Sequence, residues 1–70
     1  LRHGLGLTEQ LLQAAMDAGQ LAPRPTRALA HVLIGALDEA AMVIATADDR
    51  PRARAEIGEV VHALLDALLA

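Results

Sequence analysis

Cysteine is absent from this 70-residue chain, so neither a disulfide nor a thiolate-held metal can brace it. Phenylalanine, tyrosine and tryptophan are absent too, although 54% of the residues are hydrophobic. Any core must therefore be built from Leu, Ala, Val, Ile and Met, which suits helices lying close together. Lysine is missing: the six basic residues are all arginine, and the net charge is −3. Such a balance lacks the clustered basic face on which nucleic-acid binding depends. Side-chain hydroxyls are confined to Thr8, Thr26 and Thr46, so no nucleophile, base and acid can converge. The longest apolar run is broken by Asp38 and Glu39 before it reaches the roughly 18 residues of a membrane span. Accordingly, no catalytic residue, metal, cofactor or membrane partner is expected. The opening LRHGLGL has neither an initiator methionine nor the layout of a signal peptide, and the chain reads as a piece of a longer protein.

What is present is helix-forming material. No alternating strand pattern occurs, and the chain is expected to be all-α with three helices. The first is expected from about Thr8 to Ala18, with Thr8 as N-cap, Glu9 in the first turn and Gly19 just beyond the end. Leu11, Leu12, Ala15 and Met16, with Leu7, are expected to line one side of it. Pro23 and Pro25 disfavour helix in the residues before them, so QLAPRPT makes a turn. The second helix begins near Pro25 or Thr26 and continues to about Ala47. The third spans about 50–69, capped by Asp48 or Asp49, with Pro51 in its first turn.

The second helix is the most informative segment. Stepped at about 100° per residue, Val32, Leu33, Ala36, Leu37, Ala40, Val43, Ile44 and Ala47 fall on one broad face. Ala30, Ile34, Ala41 and Ala45 extend that face round the side, and only a narrow strip with His31, Gly35, Asp38, Glu39, Met42 and Thr46 remains. A helix apolar around most of its circumference must be covered on several sides. Seventy residues offer too little else to cover it, and a single core of this size is marginal.

The third helix gathers Ala53, Ile57, Val60, Val61, Leu64, Leu65 and Leu68 on one face. Within it, Ile57, Val61, Leu64 and Leu68 recur at the spacing of two helices packed nearly in line. The short connection makes helices two and three an antiparallel hairpin. Two hairpins related by a two-fold axis would form an intermolecular four-helix bundle, each offering the same patch to the other. Leu33, Leu37, Ala40, Ile44, Ile57, Val61, Leu64, Leu65 and Leu68 are the expected interface; periodicity alone does not separate those facing the partner from those facing the same subunit. Gly35 and Gly58 fit a close approach of backbones there, or are simply tolerated.

The chemistry-bearing residues form weaker patterns. Glu59, His62 and Asp66 lie at one-turn spacing, which allows an imidazole–carboxylate contact, but no third ligand and no HExxH pattern accompany them. A solvated polar face is the default reading. Arg50, Arg52 and Arg54 sit among Asp48, Asp49 and Glu56, so the local charge is nearly balanced. His3 belongs to no pattern.

Three stretches in order, AAMDAGQLAPRP, ALAHVLIGALDEAAMVIA and ADDRPRARAEIGEVVHALLDALL, together resemble the C-terminal end of a TetR-family transcriptional regulator. The resemblance covers nearly the whole chain. It implies a cytoplasmic parent with an N-terminal helix-turn-helix domain, absent here, that binds operator DNA. It also implies that this chain is the C-terminal part of a ligand-binding and dimerisation domain whose last two helices pair with their copies. Family members commonly bind a small effector and then release DNA. Leu12, Met16, His31 and Met42 are the candidates for part of an effector pocket wall. The expected function is thus dimerisation and effector response in a ligand-responsive repressor, with an unidentified small molecule, operator DNA and a second copy as partners. The alternative is a free-standing helical homodimeric interaction module without DNA-binding activity.

Overall fold

Three helices account for almost all of the chain in a computed structural model that describes residues 2–69, with side-chain surroundings for 4–69. They are α1 (Arg2–Asp17), α2 (Thr26–Thr46) and α3 (Arg50–Leu69), and no strand occurs among the described residues. The side chain of His3 lies outside those residues.

The first helix begins earlier than expected, at Arg2 rather than near Thr8. Leu5, Thr8, Glu9, Leu12, Ala15 and Met16 are half-buried at helical spacing, so the stripe facing α2 runs back through Leu5. Thr8 is therefore not an N-cap. Its hydroxyl donates instead to the Gly4 carbonyl one turn back, at 2.7 Å. At the other end, Gly19 has φ +76°, the left-handed conformation that glycine adopts without a Cβ penalty. The Gln20 N–H donates to the Ala15 carbonyl at 2.9 Å and the Gly19 N–H to that of Met16 at 3.1 Å. That pair of bonds is a Schellman motif, which satisfies carbonyls the helix leaves orphaned.

The same joint aims the chain into α2. Leu21, 6% exposed, is tucked under it, and Thr26 donates its hydroxyl to Gln13 Oε1 at 2.7 Å. Gln13 in turn donates to Asp17 at 3.0 Å, so a short polar chain ties the end of α1 to the start of α2. The second joint is set by Asp49, whose carboxylate accepts the Arg52 N–H at 3.1 Å and so caps α3. Of the two candidate caps, Asp49 is the one used.

The helices do not close into a bundle. α1 packs on α2 and α2 on α3, but among the described residues the backbones of α1 and α3 do not approach one another. The Cα extents, 42 × 28 × 13 Å, describe an elongated, open arrangement of helices. Stable domains are built from at least two packed layers around a core. Here the only buried hydrophobic residues among those described are Leu21 and Ala30, at 6% and 0% exposed. A compact 70-residue domain has a radius of gyration of about 11 Å; this chain has 13.6 Å. Its accessible surface is 5428 Å², against about 4,200 Å² for a compact monomer of this mass. The excess, roughly 1,200 Å² by that comparison, is surface that the open arrangement leaves accessible.

One expectation about α2 needs correcting. By length and composition this helix is apolar enough to cross a membrane, because Asp38 and Glu39 do not offset its many Ala, Leu, Ile and Val residues. The two acids interrupt the run without making the helix polar. Only 6% of that apolar stretch is buried within the chain, so α1 and α3, one packed on each side, leave most of the apolar surface of α2 exposed.

Candidate functional site

Because α1 and α3 each pack on α2 and their backbones do not approach one another among the described residues, a cleft opens between them. It is lined by Thr8 of α1, by Leu33, Ile34, Ala36 and Leu37 of α2, and by Val61, Leu64 and Leu65 of α3, and has a volume of about 140 Å³. No charged side chain among the described residues lines it, and the Thr8 hydroxyl proton is already given to the Gly4 carbonyl. Such a cleft offers dispersion contact and removal of apolar surface from water, and almost nothing for a polar group to bind.

Five of the nine expected interface residues meet there: Leu33, Leu37, Val61, Leu64 and Leu65. The nine now divide by burial. Leu33, Ala40, Ile44, Ile57, Val61 and Leu68 are half-buried within the chain, whereas Leu37, Leu64 and Leu65 are exposed. Val32, Met42, Val43 and Val60 are also exposed large apolar residues of the hairpin. The valines lie on the apolar faces legible in the sequence, but periodicity does not tell an outward position from an inward one. Leu7 and Leu11, expected on the side of Leu12 and Met16, are instead exposed on the outer side of α1, because each falls about 100° or more round the helix from Leu12.

Gly35 and Gly58 meet no close backbone among the described residues. A Cβ built on either has nothing within 4 Å. Any close approach that they serve must come from outside those residues.

The four candidate pocket residues are not gathered at one place. Leu12 and Met16 are half-buried on the α1 face that meets α2, and Met16 Sδ lies 3.7 Å from the Thr26 hydroxyl. Met16 also lines a recess at the α1–α2 joint with Leu21, Pro23 and Leu69, which Leu12, His31 and Met42 do not share. His31 and Met42 are exposed on α2.

His62 makes no hydrogen bond or ion pair with Asp66 or Glu59. Its Nδ1 lies 2.7 Å from the Gly58 carbonyl oxygen, a distance at which a protonated Nδ1 donates to it. Among the described residues no group of three His, Asp or Glu side chains could hold a metal ion. The Arg52 Nε–Glu56 Oε2 pair, at 3.4 Å, is solvent-exposed and adds little to stability.

Comparison with known proteins places this arrangement. Residues 1–68 match the model of the family described as "Tetracyclin repressor-like, C-terminal domain". The chain belongs to that family. The comparison with curated proteins gives no match. Membership supports a regulatory role in general, in dimerisation or effector binding within transcription regulators, and sets the chain apart from enzymes.

Proposed function

Taking membership of the tetracyclin repressor-like C-terminal family as the premise, we propose that this chain is the dimerisation and effector-response segment of a ligand-responsive repressor. In this reading the parent protein is cytoplasmic and holds operator DNA through an N-terminal helix-turn-helix domain outside this chain. The observation that carries the reading is the open arrangement of the helices, with the α1 and α3 backbones apart among the described residues and Leu37, Leu64 and Leu65 left exposed.

A second copy supplies the missing cover. Laid across the hairpin about a two-fold axis, it buries Leu37, Leu64 and Leu65 of both protomers and completes a four-helix bundle. The surplus surface, roughly 1,200 Å² per chain, exceeds the roughly 800 Å² per partner of a standard interface. Area does not convert directly into affinity, because association and side-chain ordering oppose it. It does make a persistent dimer physically reasonable.

Dimerisation fixes the distance between two recognition helices, which must match DNA half-sites about one helical turn apart or a multiple of it. An effector that binds one spacing better than the other shifts the population toward it and changes DNA affinity. Effector contacts by Leu12, Met16, His31 and Met42 belong to the same proposal. Since these residues are not gathered within this chain, they could contribute only parts of a wall completed by other elements.

The test is solution mass by light scattering after gel filtration, over a wide concentration range. A folded dimer that persists on dilution supports the reading. A well-folded monomer would remove its physical basis, because the exposed hairpin would then need no cover.

A further inference from the structure

We draw no further inference here: the strongest candidate, the open pocket at the α2–α3 corner where Arg50 and Arg54 stand over Ala41, Ile44 and Ala45, directly follows Asp48 and Asp49, which balance its charge, and no buried polar group or other observation points to an anion bound there.

Discussion

Replacing Leu64 by glutamate in the 70-residue chain separates a surface that is merely exposed from one that is shared. Leu64 is 56% exposed in the single chain, so the substitution removes little of the packing within it. Full burial of a leucine is worth about 1.5–3 kcal/mol, and covering the part still exposed contributes about 1–1.5 kcal/mol per copy. A two-fold axis doubles that to about 2–3 kcal/mol, a factor of roughly 30–150 in the dimer Kd. Glutamate also forces a carboxylate to lose water without a partner, which widens the gap further. Sedimentation equilibrium and circular dichroism on the same samples read both consequences. Wild-type protein should be dimeric, with a melting temperature that rises with concentration, as expected when association and folding are linked. Leu64→Glu should be monomeric at the same concentration and lose part of its helicity. Leu11→Glu is the control, because Leu11 is 63% exposed on α1, outside the hairpin. It should dimerise like wild type. An unchanged Kd for Leu64→Glu, or dissociation by Leu11→Glu instead, would refute the hairpin as the interface.

Four further substitutions probe how the arrangement is built. Asp49→Ala removes the carboxylate that accepts the Arg52 N–H and should cost about 1 kcal/mol. In a chain this small that lowers Tm by roughly 4–8 °C in a thermal melt. Gly19→Ala places a side chain at φ +76° and should destabilise by about 1 kcal/mol in urea titration, despite the open space around it. Gly35→Ala meets nothing within 4 Å inside the chain and should raise intrinsic helix stability by about 0.5–1 kcal/mol. Denaturant melts of this variant in the monomeric Leu64→Glu background isolate that gain. A dimer Kd weakened in the wild-type background would then locate the partner's backbone at Gly35. Thr26→Val removes the hydroxyl that binds Gln13; since the bond is exposed, the loss should be only about 0.5 kcal/mol. Hydrogen exchange should show it as faster opening at the α1–α2 joint.

Much of this protein can be read without coordinates because its signals are local. Proline spacing at 23 and 25, Gly19 beyond α1 and the acids before Pro51 punctuate the chain at the residues where the helices stop and start. Each acts through its own backbone or the next turn. The apolar girth of α2 likewise implies several neighbours, whatever they are. The start of α1 escapes such reading for the same local reason. Thr8 before Glu9 looks like a cap, yet a threonine hydroxyl can equally bond back to a carbonyl within a helix. The half-buried Leu5 shows that the α2-facing stripe continues past it.

Which apolar residues face inward lay beyond the sequence altogether. Val61, Leu64 and Leu65 point to one side of α3, as residues three and four apart on a helix do, so periodicity gives them the same standing. Only the placement of α1 and α3 on α2 leaves Val61 half-buried and Leu64 and Leu65 exposed. Three helices, their joints and an excess of apolar surface thus follow from residue order alone, through caps, prolines and periodicity. That the helices stay open is a property of their packing, because among the described residues α1 and α3 each pack on α2 and their backbones do not pack on each other.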